Sequence, residues 1–158
     1  MELARSKGLL KQVSSAFMAA GGFPTPNITH ATDVIHGALE MRDFIAAGKA
    51  QQIAAGLPFF EIRIGIHTGP VVAGIVGVKK FQYDIWGDTG ACAKALRRRR
   101  VNTASRMESS GEVGKVNISE ATYALVVDQA SRLFTFIPRG KVQAKGKGEM
   151  EMYFVVGS

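Results

Sequence analysis

The chain has 158 residues, of which 46% are hydrophobic and 21% charged, and its formal net charge is +7. These values describe one globular domain with an ordinary core, and they exclude a disordered chain. No apolar run approaches the ~20 residues that a transmembrane helix needs, which predicts no direct membrane insertion. The start lacks the apolar core of a signal peptide, and the single cysteine, Cys92, excludes an internal disulfide. We therefore expect a cytoplasmic location.

Most of the positive charge is concentrated in one segment, residues 90–100 (GACAKALRRRR). This segment holds five basic residues and no acidic one, so the rest of the chain carries only +2. Four consecutive arginines are able to bind phosphates, but a run of like charges more often forms a solvated loop, because the charges repel one another. We therefore predict no nucleic-acid partner and interpret 90–100 as a basic insertion.

The clearest predicted element is a helix from Thr29 to about Lys49. The preceding residues 24–27 (PTPN) are typical of a loop, and Thr29 is a suitable N-cap. Apolar residues recur along the segment at helical spacing, which predicts one buried face. They are Val34, Ile35, Ala38, Leu39, Met41, Phe44 and Ile45.

The rest of the chain mixes short strands with two further helices. The predicted strands are residues 59–67, 71–76, 81–86, 115–118 and two segments near 133–137 and 150–156. One helix is predicted over 101–109, and another begins after its cap, Ser119, and reaches about Asp128. Strands that are mixed with helices and joined partly by short Gly-rich connections indicate an α+β fold rather than a doubly wound parallel sheet.

Two segments on either side of the insertion form one interrupted motif. Residues 83–89 (YDIWGDT) and 101–110 (VNTASRMESS) join into a run that resembles the signature of class III nucleotide cyclases. Further similar pieces follow the same order, among them FEIRIGIHTGPVVAGIVG, VNISEATYAL and KGKGEMEMYFV, so the resemblance extends from about Lys11 to Val156. It implies a cyclase catalytic domain over residues 1–158, with a ferredoxin-like sheet and flanking helices. The first strand of such a domain and its helices have no counterpart here, so we expect a partial domain, alone or within a larger signalling protein.

The resemblance assigns recognition of the nucleotide base to a lysine–aspartate pair. In this sequence the pair is Lys11 and Asp84, and the neighbouring Ile85 and Trp86 are also expected to bind substrate. A lysine donor and a carboxylate acceptor suit adenine, which offers ring-nitrogen acceptors and an amino donor. Guanylyl cyclases usually carry Glu and Cys at these places. The resemblance therefore implies ATP as substrate; without it, Lys11 would be interpreted as an ordinary surface lysine.

The resemblance assigns catalysis to Asn102 and Arg106, which are four residues apart and so share one face of a helix. The asparagine is expected to position the ribose, and the arginine to stabilise charge that develops on the phosphates. Lys145 matches the lysine that meets the terminal phosphates, and Lys147 is a weaker candidate. On spacing alone, the same residues also fit a capping Asn, a solvent-facing Arg and an ordinary basic turn.

The resemblance also implies a divalent cofactor, because the family uses two metal ions, Mg²⁺ or Mn²⁺, held by two aspartates. One aspartate belongs to the first strand, and at the place of the other the sequence has Ser15, whose hydroxyl cannot replace an anionic ligand. We predict no metal ligand in this chain.

Class III sites form between the halves of a head-to-tail dimer, so the pattern resembles the substrate-handling half of a heterodimer. A homodimer would then be inactive; the alternative is a catalytically inactive nucleotide-binding or regulatory module.

The insertion leaves the position of Asn102 and Arg106 open. If its 11 residues continued the helix, they would add about three turns and move both residues ~16 Å along the axis. If they formed a loop after Gly90, both residues would stay near their usual places. Gly90 and the arginines favour the loop, whereas the alanines favour a helix, and we expect a partly helical excursion.

Overall fold

The computed structural model describes residues 8–13, 16–22, 25, 27–76, 82–86, 102–130 and 132–157. The insertion 90–100 lies outside these residues, so neither of its two expected forms is tested. Within the described part of the chain, no helix has the length and apolar composition that a membrane span requires. The elements in chain order are β1 (Gly8–Val13), β2 (Ala16–Gly21), α1 (His30–Ala54), β3 (Ile64–Ile66), β4 (Val72–Val76), β5 (Gln82–Trp86), α2 (Asn102–Ser109), β6 (Val116–Ser119), α3 (Glu120–Ala130), β7 (Phe134–Ala144) and β8 (Gly148–Gly157).

A mixed four-strand sheet organises the fold, with strand order β3-β6-β8-β7. β3 runs parallel to β6, whereas β6 and β7 each pair with β8 in antiparallel orientation. Two further antiparallel pairs, β1 with β2 and β4 with β5, form separate two-strand sheets. Mixed strand directions with flanking helices confirm the predicted α+β class.

One face of the four-strand sheet is covered by α1 and α3. Successive side chains of a strand point to opposite faces, so Val116 and Ile118 of β6 enter this core together. They join Ile35 of α1 and Val126 of α3, all four fully buried. On the same side, the ring of Tyr123 in α3 stacks on the ring of Tyr153 in β8, with ring centroids 4.0 Å apart. Of the two hydrophobic clusters that the described residues form, the larger lies on this face.

The predicted first helix is confirmed, and it extends five residues beyond Lys49 to Ala54. Thr29 occupies the N-cap position but makes no side-chain capping bond; its hydroxyl donates to the Asp33 carboxylate at 2.9 Å. The predicted apolar face is only partly buried. Ile35, Ala38 and Leu39 lie in the core, whereas Phe44 is 79% exposed.

The predicted strand over 59–67 is wrong for most of its length, because only Ile64–Ile66 form a strand and Phe60 is 81% exposed. β3 can pair only as far as its partner β6 reaches, and β6 has four residues. The predicted strands 71–76, 81–86 and 115–118 match β4, β5 and β6 to within one residue at each described end. β1 and β2 are elements that the sequence pattern did not predict.

Candidate active site

Helix α2 carries both predicted catalytic residues. Asn102 is its first residue, and Arg106 follows one helical turn later. Val101, which precedes the helix, lies outside the described residues. The predicted helix 101–109 is therefore confirmed over 102–109, and the two residues stand on one helical element after the insertion.

Arg106 presents an unsatisfied donor. Its side chain is half-buried, and its Nε atom is fully buried without a hydrogen-bond partner among the described residues. A buried N–H of a cation that finds no acceptor costs free energy, because the guanidinium has lost its water there. Phosphate oxygens match the guanidinium geometry, and the role of Arg106 stays a prediction.

A glycine brings α2 against the sheet. A Cβ atom on Gly65 of β3 would overlap the backbone nitrogen of Glu108 and lie 2.6 Å from the Ala104 carbonyl oxygen. Only a residue without a side chain allows this approach. Gly65 therefore sets the distance between β3 and the helix that carries Arg106.

Two polar side chains bind the C-terminal end of α2. Asn117 of β6 is fully buried, and its Nδ2 donates to the Met107 carbonyl at 2.8 Å. Arg139 of β7 donates from Nη1 to the Ser110 carbonyl at 2.8 Å and to Asn117 Oδ1 at 3.2 Å. Beneath them, Met107 packs with Ala144 and Met152 in a small buried cluster. Hydrogen bonds and this cluster together hold α2 on the second face of the sheet.

Lys145 lies in the turn between β7 and β8, where its side chain is exposed. Lys147, the weaker candidate, is half-buried, and its backbone nitrogen closes the turn on the Ala144 carbonyl at 2.9 Å. Gly146 and Gly148 both adopt φ +78°, a conformation that residues with a side chain rarely take. The glycines thus build a tight turn that leaves Lys145 exposed to a ligand.

The predicted base-binding residues lie on the two smaller sheets. Lys11 is in β1 opposite Met18, and Asp84 is in β5 opposite Gly74. Ile85 and Trp86 follow Asp84 in the same strand. Because Lys11 and Asp84 belong to separate two-strand sheets, their joint contact with one base stays a prediction.

Among the described residues, no group of three or more His, Cys, Asp or Glu side chains is placed to hold a metal ion. Ser15, at the position where the resemblance expects an aspartate, lies outside the described residues. The prediction about the metal ligands therefore stays untested by the fold.

A cleft of about 370 Å³ opens at the N-terminal end of α3, and no predicted site residue lines it. Part of its polar wall is hydrogen-bonded within the chain. Ser119 Oγ lies 2.9 Å from His67 Nδ1 and 3.2 Å from Thr122 Oγ1. Unlike the surroundings of Arg106, this cleft has no buried donor that needs an external acceptor among the described residues.

Sequence reasoning missed the three residues that hold α2: Gly65, Asn117 and Arg139. A glycine inside an otherwise β-branched strand is a signal of close backbone approach and could have identified Gly65. The Pro138–Gly140 interruption of β7 signals a bulge, and the pairing register does shift there. Nothing local in the sequence joins Asn117 to Arg139, since they are 22 positions apart.

The family profile described as Adenylate and Guanylate cyclase catalytic domain matches residues 5–157. Guanylate cyclase soluble subunit beta-2 of Rattus norvegicus is 40% identical over 147 residues, which are 93% of this chain and 19% of that protein. Adenylate cyclase of Mycobacterium bovis is 35% identical over 158 residues, which are 99% of this chain and 31% of that protein. The chain thus spans 19% and 31% of the lengths of these two relatives.

The fold leads to the same group of proteins. The crystal structure of the adenylyl cyclase CyaB from P. aeruginosa superposes with a TM-score of 0.76 at 28% identity, covering 96% of this chain and 72% of that one. The profile, the relatives and the solved structure all agree with the interrupted motif on β5 and α2. This chain belongs to the adenylate and guanylate cyclase catalytic domain family, the class III nucleotide cyclases.

Proposed function

We propose that the chain is the substrate-handling half of an adenylyl cyclase dimer, which converts ATP into cyclic AMP and pyrophosphate. In this reaction the ribose 3′-oxygen forms a bond to the α-phosphorus, and the bond from that phosphorus to the bridging oxygen of the β-phosphate breaks. The 3′-hydroxyl proton is lost, and the electron pair leaves with pyrophosphate. The observation that carries the proposal concerns Arg106, on the helix that begins with Asn102: its buried Nε has no hydrogen-bond partner among the described residues.

Arg106 stabilises the transition state in this proposal. Negative charge grows on the bridging oxygen as it leaves, and a fixed guanidinium donor is worth most where that charge develops. Lys145, exposed in the β7–β8 turn, adds positive charge for the terminal phosphates.

Lys11 and Asp84 support ATP over GTP. The relatives include both adenylate and guanylate cyclases, so family membership by itself leaves the base open. A carboxylate accepts a hydrogen bond from the adenine amino group, and an ammonium donates to a ring nitrogen. Guanine presents a carbonyl oxygen where adenine has the amino group, so Asp84 would meet an acceptor there.

At the position where the family carries one metal-binding aspartate this sequence has Ser15, and a neutral hydroxyl does not replace an anionic ligand of Mg²⁺. The proposal assigns the metal-binding aspartates to a second cyclase domain in a head-to-tail heterodimer.

The proposal is tested by complementation. The chain is mixed with a metal-bearing partner domain, defined as a class III cyclase domain that keeps both metal-binding aspartates and has its own counterpart of Arg106 replaced by Met. With Mg²⁺ or Mn²⁺ and ATP, we expect cyclic AMP from the mixture and none from either component alone. Cyclic AMP from the purified chain alone would contradict the assignment of the metals to the partner. Failure to bind ATP with or without the partner would instead favour the inactive regulatory module.

A double substitution tests the base assignment in the same mixture. Lys11→Glu with Asp84→Cys removes the donor to adenine and the acceptor for its amino group, so we expect the ratio of kcat/KM values to shift towards GTP. Each single variant serves as the control, since one change alone leaves a mismatched pair for either base. An unchanged preference would show that these two positions do not face the base.

A further inference from the structure

We propose that Asn117 and Arg139 are positioning residues for catalysis: together they fix α2 at its C-terminal end and so hold Arg106 at the triphosphate. We call them the Asn117–Arg139 pair. The inference rests on the proposed function for its catalytic consequence, although the structural part of it stands on contacts among described residues. Neither residue belongs to the interrupted motif or to the predicted site.

The pair satisfies carbonyl groups that the helix itself leaves open. The last carbonyls of an α-helix have no partner within the helix, and a buried helix end needs partners from elsewhere. Asn117 donates to the carbonyl of Met107, the residue directly after Arg106, and Arg139 donates to the carbonyl of Ser110, the residue directly after α2. Both bonds are therefore within four residues of Arg106. They fix the rotation and the axial position of the helix segment that carries it.

Arg139 is itself firmly held. Its guanidinium carbon lies 4.3 Å from the centroid of the Phe154 ring, in a cation–π contact, and Nη1 also donates to Asn117 Oδ1 at 3.2 Å. The register shift between Pro138 and Gly140, where Gly140 has φ +69°, marks a bulge, which re-aims a side chain relative to a regular strand. A positive charge at this place also suits the partial negative charge at the C-terminal end of α2.

The apolar contacts of α2 do not replace this pair. Only Met107, Ala144 and Met152 are fully or nearly fully buried in the cluster beneath the helix. Methionine side chains adapt to several packings, and apolar contact carries no direction. A catalytic donor must be held to within a fraction of an ångström, and a displacement of about 1 Å can cost roughly 100-fold in rate. The directional bonds of the Asn117–Arg139 pair supply that precision.

The variants are chosen so that they separate positioning from general stability. Arg139→Met removes both hydrogen bonds and keeps a side chain of similar length. Arg139→Lys is the conservative rescue: both hydrogen bonds come from the single nitrogen Nη1, so one ammonium group can donate to both oxygens. Lys115→Met is the matched control, because Lys115 is the other cation over Phe154, at 4.6 Å, and donates to Glu112 rather than to a carbonyl of α2.

Each variant is studied as the full chain mixed with the metal-bearing partner domain. Steady-state kinetics with ATP give kcat and KM, and hydrogen–deuterium exchange of the chain reports on residues 102–110. For Arg139→Met we expect kcat to fall about 10- to 100-fold while KM stays within about threefold, since the lost interaction acts in the transition state. Exchange should quicken about tenfold in 102–110 and stay unchanged in β6 and β8. Arg139→Lys should recover most of both losses, and Lys115→Met should behave as the parent chain.

Two results would overturn the inference. One is an Arg139→Met chain whose kcat and exchange over 102–110 equal those of the parent. The other is faster exchange in β8 as large as that in α2, which would make Arg139 a general structural residue. If the parent mixture forms no cyclic AMP at all, the proposed function fails, while the exchange comparison still decides whether the pair holds α2.

Asn117→Asp gives an independent check: it keeps the acceptor for Arg139 and loses the donor to Met107, so it should loosen α2 less than Arg139→Met does.

Discussion

On one face of the four-strand sheet, α1 and α3 pack through fully buried aliphatic side chains such as Ile35, Ile118 and Val126. On the other face, α2 rests on a small methionine cluster and is bound by hydrogen bonds from Asn117 and Arg139. Burial of apolar area supplies most of the stability of a domain, but it sets positions only loosely. Hydrogen bonds add little net stability, yet they fix direction. On the face that carries Arg106, hydrogen bonds thus fix the position of the helix. On the opposite face, apolar burial supplies most of the stability.

The largest expected effect on stability is on the apolar face. Ile35→Ala leaves a cavity at a fully buried site and should lower the free energy of unfolding by about 3 kcal/mol. The measurement is denaturant unfolding followed by circular dichroism. Phe44→Ala on the same helix is the control, because Phe44 is 79% exposed and its loss should cost under about 0.5 kcal/mol. Equal losses in the two variants would show that α1 is not anchored through Ile35.

Gly65→Ala tests the other face with a change of one methyl group. The new Cβ would overlap the backbone of α2 at Glu108, so the helix must move, at a cost of about 2 kcal/mol. Unlike Ile35→Ala, this variant should also lose kcat in the complemented mixture, by tenfold or more for ~1 Å of movement. Gly48→Ala in α1 is the control. Its Cβ meets nothing within 4 Å, and alanine favours a helix, so the chain should gain up to about 1 kcal/mol. Full activity in Gly65→Ala would mean that α2 does not need its close approach to β3.

An exposed ion pair also joins α2 to the residue that precedes β3, with Arg63 Nε 3.0 Å from Glu108 Oε1. Exposed pairs contribute little because both charges remain solvated and screened by salt. Arg63→Gln should therefore change the free energy of unfolding by about 0.5 kcal/mol or less and leave kcat unchanged. A loss of activity as large as that of Arg139→Met would show that this surface pair, and not the Asn117–Arg139 pair, fixes the position of α2.

The smallest effect concerns pH. The hydrogen bond from Lys115 lowers the pKa of the Glu112 carboxyl below its ordinary value near 4.5. A carboxyl whose pKa is lowered by folding adds stability above its unfolded pKa, and loses that contribution as the pH falls through the lower, folded value. Glu112→Gln should therefore flatten the acid side of the stability curve slightly. Unfolding midpoints between pH 6 and 3 for both chains measure this, and parallel curves would contradict it.

Local patterns predicted the elements that depend on neighbours in sequence. The helix after Ser119 is an example: its cap is confirmed by the Thr122 amide, which donates to Ser119 Oγ at 3.4 Å. The missed or wrong elements depend on distant partners. β1 and β2 contain few β-branched residues and form through pairing with each other, and β3 is short because β6 is short. Strand formation in these segments was decided by pairing rather than by propensity.

The residues of the candidate site also fall into two groups: those that a local motif could predict and those that depend on distant strands. The positions of Asn102, Arg106 and Lys145 on their helix and turn could be predicted, because their motifs are continuous in sequence. The supports of α2 come from β3, β6 and β7, so no local pattern joins them. Lys11 and Asp84 remain predictions from resemblance, since they lie on separate small sheets.

The most direct test of the account is whether Arg106 Nε–H receives a phosphate oxygen. The chain is labelled with ¹⁵N-arginine and mixed with the metal-bearing partner domain, and its Nε–H signals are recorded before and after addition of 3′-deoxy-ATP, which binds but cannot cyclise. Arg106→Lys identifies the signal. We predict that the Arg106 Nε–H signal moves downfield and exchanges more slowly with water, because a donor that lacks a partner in the described part of the chain gains a charged acceptor. An Arg106 signal that stays in place while 3′-deoxy-ATP is bound would contradict it.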